Sequence, residues 1–363
     1  MALLDWRSPM NSSLRSRRPN GGRNLRAELR ELLVGQPDAL DAIIPYIQMY
    51  EAGLAPEGRP GGVFLLLGPT GTGKTKTVEA LAQVLHASEK RMLKIDCAEF
   101  QMEHEVAKLI GAPPGYLGHR ETQPLLTQAR LNAVTSEDSS LSILLFDEVE
   151  KAAPSLARLL LGLLDKAQLR LGDNTTVNFE RTLIFLTSNL GAREMAETLR
   201  PSWGFEANVA QSADHPDGHR PEKLHAIGMG AVRRRFSPEF INRLDRVISY
   251  NPLTTDGLEQ ILQHQIDAFG ELVITRLGPR GFDITVDPAA RQYLLHIGAS
   301  AEYGARELKR VLHRHLFQPL GAMVADGGIP PGSSVRVSRQ ADATQLRFRI
   351  TRRRPVQRFN DGD

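Results

Sequence analysis

One cysteine, Cys97, stands among 363 residues. No intrachain disulfide can staple this fold, and such usage fits a reducing compartment such as the cytoplasm. Cys97 closes an apolar, strand-like run, so a buried and inert thiol is expected. Long apolar runs are missing as well: no stretch reaches the roughly 20 residues that a membrane-spanning helix needs. The first twenty residues lack the apolar core of a secretory signal; their Arg and Ser content has only a weak likeness to an organelle transit peptide. The ten histidines show no metal-ligand spacing, and His313 and His315, two apart on an expected helix, point away from each other. No internal repeat is found. What is present is ordinary globular material, with 41% hydrophobic and 24% charged residues, enough chain for one large α/β domain and a smaller companion.

The net charge of +3 is unevenly spread. Arg7, Arg15, Arg17, Arg18 and Arg23 crowd the start, and Arg352, Arg353, Arg354 and Arg358 crowd the end. Basic ends can hold nucleic acid or acidic partners, but solvated, poorly ordered tails are the favoured reading. The expected division is a tail over 1–24, a nucleotide-binding domain over 25–250, a small domain over 251–350 and a second tail over 351–363. Leu29 to Ile47 has helical spacing, split into two helices by Gly35-Gln36-Pro37. Four short apolar strands follow, Val63–Leu67, Met92–Ile95, Ser142–Phe146 and Thr182–Leu186, alternating with helical stretches. That alternation predicts a parallel sheet sandwiched by helices. After Asn251-Pro252, helices over Leu253–Leu277 and Leu308–Met323 and short strands near 282–286, 334–337 and 345–350 predict a mainly helical second domain.

Three strand ends carry chemistry. Gly68-Pro69-Thr70-Gly71-Thr72-Gly73-Lys74-Thr75 follows a strand and opens a helix, the context of a phosphate loop. Its glycines let backbone N–H groups face the phosphates, Lys74 neutralises the β- and γ-phosphates, and Thr75 ligates Mg²⁺. Asp147 and Glu148 end an apolar strand at the same sheet edge, where Asp147 suits the metal and Glu148 the attacking water. Asn189 ends another strand, placed to orient water against the γ-phosphate.

Together these motifs resemble the AAA+ superfamily, and finer phrases resemble the Clp-type unfoldases, above all the second ATPase module of ClpB, ClpA and ClpC. Leu109–Gly118 is similar to the family's pore-loop segment, Phe146–Ala152 to its metal-and-water motif and Thr187–Gly191 to its first sensor. Ser237–Asp245 resembles its arginine-finger segment and Tyr303–Leu308 its second sensor. The resemblance implies a P-loop ATPase working as a hexamer of identical chains with ATP and Mg²⁺ at the subunit interfaces. It implies that Arg243 reaches the γ-phosphate of a neighbour and that Arg306 touches the nucleotide of its own subunit. Val34, Gly35 and Gln36 resemble the segment covering the adenine. Tyr116 and Leu117 would line a central pore that grips unfolded protein clients.

Only a short tail precedes Leu25, so a single-module protein is expected, without the N-terminal domain, first ring or coiled-coil middle domain of double-ring relatives. His119-Arg120-Glu121 also departs from the aromatic, acids and glycines usual after the pore loop. A stand-alone unfoldase is the leading expectation. The alternative is a regulatory subunit docking a ClpP-like peptidase through Trp203-Gly204-Phe205, a partial match to the docking tripeptide. Remodelling of nucleic acid is the weakest expectation, because Gly115-Tyr116-Leu117-Gly118 points to polypeptide.

Overall fold

The computed structural model describes residues 24–111, 123–199, 220–299, 304–340 and 345–352. The chain divides into two compact units between Pro252 and Leu253.

The larger unit opens with α1 (Leu25–Leu32), capped by Asn24, whose side chain accepts from the Ala27 N–H at 3.1 Å. Gly35 turns the chain at φ +76°, and Pro37 starts α2 (Pro37–Glu51). There follow β1 (Gly62–Leu67), α3 (Lys74–His86), β2 (Leu93–Asp96), α4 (Ala107–Ile110), α5 (Gln128–Ala133), β3 (Ser142–Asp147) and α6 (Pro154–Lys166). Then come β4 (Gln168–Arg170), β5 (Thr176–Asn178), β6 (Thr182–Ser188), α7 (Ala192–Leu199), α8 (Arg220–Arg235), α9 (Pro238–Asn242) and β7 (Arg246–Ser249).

Among the described residues, five strands form one parallel sheet in the order β2-β3-β6-β1-β7. The middles of its central strands are apolar on both sides because both faces are covered, polar residues standing at the strand ends. Period-two geometry then deals alternate residues to opposite cores. Val63, Leu65, Leu144, Phe146, Ile184 and Leu186 join Leu156, Leu160 and Leu163 of α6 on one side. Phe64, Leu66, Ile143, Leu145 and Phe185 join Leu29, Ile43, Ile47, Leu81 and Leu85 of α1 to α3 on the other. Each such side chain contributes roughly 1.5–3 kcal/mol by burial. The sheet therefore holds its C-terminal edge rigidly, and that edge carries the motifs. The α/β sandwich expected from the strand–helix alternation is borne out.

The smaller unit comprises α10 (Thr255–Leu277), β8 (Asp283–Val286), α11 (Pro288–Gly298), α12 (Gly304–Leu312), α13 (Gln318–Ala325), β9 (Ser334–Ser338) and β10 (Arg347–Thr351). The strands pair in the order β10-β9-β8, around a core that includes Leu262, Leu294, Leu308, Leu312 and Val335. The helix expected over Leu308–Met323 carries a wider π turn, His313–Phe317, in which the Gln318 N–H reaches back to the His313 carbonyl. Pro319 has no N–H to continue the regular ladder, and the wide turn absorbs that loss. No helix among the described residues is long and apolar enough to cross a membrane.

Candidate functional site

The phosphate-loop sequence leaves the end of β1 and runs into α3. Gly68 has φ +149°, and a Cβ there would lie 2.6 Å from the Tyr250 carbonyl oxygen. Gly73, the residue before α3, is left-handed at φ +105°. Only glycine meets both demands without strain. The first turn of α3 therefore directs its N–H groups and positive dipole end to the loop. Lys74 is buried, and its Nζ donates to the carbonyls of Gly68 at 2.6 Å and Pro69 at 2.8 Å and to Asn189 Oδ1 at 2.8 Å. The Thr72 hydroxyl donates to the Pro69 carbonyl at 2.9 Å. Thr75 follows on the first turn of α3, half-buried. Gly68→Ala is expected to destabilise this unit by about 1–3 kcal/mol, since either the loop or Tyr250 must shift. A thermal melt checks this, at about 2–4 °C per kcal/mol for a unit of this size.

Two strands away, β3 delivers Asp147 beside the end of β6. Lys94 on β2 pairs with Asp147 Oδ2 at 2.7 Å, and the Thr187 hydroxyl donates to Oδ1. Burial works against the Asp147 charge. The hydrogen bonds from Lys94 and Thr187, with the charges of Lys94 and Lys74, outweigh it and hold the carboxyl below the usual carboxylate range. Asp147 is thus an ionised carboxylate at neutral pH.

Glu148 takes a left-handed backbone, φ +56°, unusual for a residue with a side chain. Its N–H donates to Thr187 Oγ1 at 3.0 Å. Its carboxylate meets Asn189 Nδ2 at 3.5 Å and the Lys151 ammonium, which Glu148 holds above the usual lysine range. Asn189 is fixed in turn through its N–H to Glu150 Oε1 at 3.1 Å. Lys74, Asp147, Glu148 and Asn189 therefore form one connected group at the sheet edge. The strained turn at Glu148 is the kind of feature that concentrates at functional sites.

Arg243 sits at the C-terminal end of α9, with its guanidinium against the Asp165 carboxylate near the end of α6. Leu33 Cδ1 lies 3.7 Å from where a Cβ on Gly73 would stand, so the segment leading into Val34 and Gly35 lies against the phosphate loop. Arg306 is exposed on α12 of the smaller unit. Tyr116, Leu117 and Trp203–Phe205 lie outside the described residues, as do all the arginines of the two tails except Arg352. Cys97 is buried, and burial first, then the nearby carboxylates of Asp147 and Asp96, push its thiol far above the ordinary range.

Several contacts around this group escaped the sequence reading. Lys94 is an ordinary strand residue and Thr187 stood only as the start of the first-sensor phrase; pairing across the sheet brings both to Asp147. Gln36 donates from Nε2 to the carbonyls of Thr72 at 3.1 Å and Asn251 at 2.8 Å. Arg235 donates to the carbonyls of Glu150 at 3.1 Å and Ala152 at 2.8 Å, bracing the turn after Glu148.

The residues present fit a nucleoside triphosphate with Mg²⁺. The glycine cradle cannot accept a Cβ at Gly68 without displacing Tyr250, a buried lysine faces the loop, and a charged aspartate stands near the helix start. A Mg²⁺ ion characteristically takes one or two protein oxygens and completes its shell with phosphate and water; Thr75 and Asp147 would be those ligands.

The family description "AAA domain (Cdc48 subfamily)" matches residues 59–247, and "C-terminal, D2-small domain, of ClpB protein" matches 253–337. Chaperone protein ClpB of Mesorhizobium japonicum is 36% identical over 324 residues, 89% of this chain and 34% of that protein. Heat shock protein 100 of Trypanosoma brucei brucei is 35% identical over 329 residues, 91% of this chain and 35% of that protein. The chain thus spans about a third of the length of the curated relatives it matches. Among solved structures, a closed-state reconstruction of Hsp104 with ATPγS and FITC-casein is similar with a TM-score of 0.73 and 27% identity. That similarity covers 90% of this chain and 51% of the other. The extended S. cerevisiae Hsp104–casein complex gives 0.74 and 26%, over 89% and 51%.

Proposed function

This chain belongs to the AAA family, its smaller unit being of the ClpB D2-small type, and from that membership we propose that it hydrolyses ATP to remodel proteins. The observation that carries the reading is the connected group of Lys74, Asp147, Glu148 and Asn189 at the mouth of the phosphate loop. When bound, Mg²⁺ supplies positive charge to the phosphoryl oxygens. Lys74 would face the β- and γ-phosphates, and Thr75 and Asp147 would hold the ion. Glu148 takes the proton of the attacking water, while Asn189 orients that water. Positioning and charge, rather than covalent chemistry, lower such a barrier.

Arg243 completes the site of the next subunit in a homo-hexamer, and Arg306 reports the nucleotide from the smaller unit. Arg243 supports this assignment, being about a third exposed and, among the described residues, paired with Asp165. Val34 and Gly35 cover the adenine. Tyr116 and Leu117 line the central pore and pull unfolded polypeptide through it. Support for a polypeptide client comes from the casein complexes of the similar Hsp104 structures. The setting is cytoplasmic, in keeping with one buried, unbridged cysteine.

The test is ATP turnover with and without casein. Casein is expected to stimulate turnover severalfold, and Tyr116→Ala to abolish the stimulation. Stimulation that survives Tyr116→Ala unchanged would remove the pore grip from the account.

A further inference from the structure

The segment leaving β7 is fastened to the phosphate loop and to the strand and helix that flank it. Pairing of β7 with β1 continues past the strand end, with the Tyr250 N–H donating to the Leu67 carbonyl at 2.7 Å. The Tyr250 carbonyl then presses on Gly68 so closely that a Cβ there would stand 2.6 Å away. The fully buried Tyr250 hydroxyl donates to Thr77 Oγ1 at 2.7 Å, and Thr77 donates to the Gly73 carbonyl at 3.0 Å. On the other side, Gln36, 5% exposed, spends its amide on the carbonyls of Thr72 and Asn251. Gly35, at φ +76°, is the turn that precedes this side chain.

Buried polar groups are costly unless satisfied, and these are satisfied across sequence separations of 36, 173 and 215 residues. Both bonded carbonyls are backbone groups, so the bonds fix main-chain position rather than a flexible side chain. Asn251 is followed by Pro252, where the larger unit ends. Any displacement of the loop backbone at Gly68, Thr72 or Gly73 is therefore passed to the two residues that lead out of the nucleotide unit.

We propose that Gln36 and Tyr250 form a clasp that transmits the position of the phosphate loop to the junction at Asn251–Leu253, converting nucleotide state into movement of the smaller unit. Gln36 and Tyr250 act through the loop and not on the phosphates; they are positioning residues. The proposal deepens the reading of an ATP-driven remodeller and rests on it.

Two variants separate transmission from folding. Gln36→Met keeps length and removes both donors, while Tyr250→Phe keeps the ring and removes only the hydroxyl. Dyes are placed on cysteines substituted at the exposed Glu137 and Asp326, with buried Cys97 shielded from labelling. Energy transfer is read at saturating ATP in a Glu148→Gln background, with binding followed separately by a fluorescent ATP analogue. The clasped chain is expected to show an ATP-dependent change in transfer. Each clasp variant should lose a measurable part of that change and the pair more than half of it, the backbone contacts of Tyr250 to Leu67 and Gly68 staying in place in both, with ATP affinity altered by less than about fivefold. A full change in the double variant overturns the clasp. So does failure of either variant to saturate with nucleotide, which would make these residues part of the binding surface itself. No change in the parent chain contradicts ATP-driven movement, and the clasp with it.

Discussion

Glu148→Gln is expected to lower ATP turnover by about 10²–10⁴-fold while nucleotide binding stays within a few-fold. Glutamine keeps the shape of the side chain and loses the carboxylate proposed to take a proton from water. A 10²–10⁴-fold effect corresponds to about 3–5 kcal/mol of barrier. The substitution leaves the phosphate contacts alone, because Lys74 and the loop glycines lie on the other side of β6 from Glu148 in sheet order. It also leaves the fold alone: the Glu148–Lys151 pair is 31% and 48% exposed, and pairs of this kind contribute little to stability. Turnover by phosphate release and binding by a fluorescent ATP analogue check the two halves separately. Equal loss of both would mean that Glu148 holds nucleotide and does not activate water.

Arg243→Ala should cost about 10³–10⁵-fold in turnover, the worth of an arginine offered to a phosphoryl-transfer transition state from a neighbouring subunit. Arg243 and Asp165 are about a third exposed, at 36% and 34%, so the lost ion pair costs the fold about 1 kcal/mol or less. A melting temperature within a few degrees of the parent, together with the turnover loss, is the expected pair of results. Arg243→Lys should recover little, since a point charge does not replace a planar fork of donors. Turnover that is unchanged in Arg243→Ala would return this residue to the ranks of surface ion pairs.

The sequence was most legible where physics leaves little freedom. Strands buried on both faces must be apolar throughout, so β1, β3 and β6 stood out, with their polar ends marking the site edge. Gly68 and Gly73 were legible because a phosphate loop needs them, although the close approach to Tyr250 that forbids a Cβ was not. β7 was missed: Arg246–Ser249 is four residues long with only Ile248 fully buried, too short and too mixed to announce a strand. Tyr250 was missed with it, and Asn251 was read only as the start of the break before the second domain. Gln36 was read as part of an adenine-covering segment, but its side chain turns to two carbonyls that are remote in sequence. Lys94 and Asp165 carry no motif at all, and Thr187 was quoted only as the start of the first-sensor phrase; cross-strand register and helix packing bring them to their partners. The π turn before Pro319 shows the same limit, since apolar periodicity reports a helix without its internal hydrogen-bond shift.

The central claim is that each hydrolytic site is shared between two copies of this chain, and mixing two inactive variants tests it most directly. Glu148→Gln protein retains Arg243 but cannot activate water; Arg243→Ala protein retains Glu148 but offers no arginine. In a mixed ring, an Arg243→Ala subunit beside a Glu148→Gln neighbour regains a complete site at about a quarter of the interfaces if the two assort at random. ATP turnover of the equimolar mixture is therefore predicted to rise far above that of either variant alone. A mixture that co-assembles yet stays at the mean of the two inactive proteins would contradict a site built from two subunits.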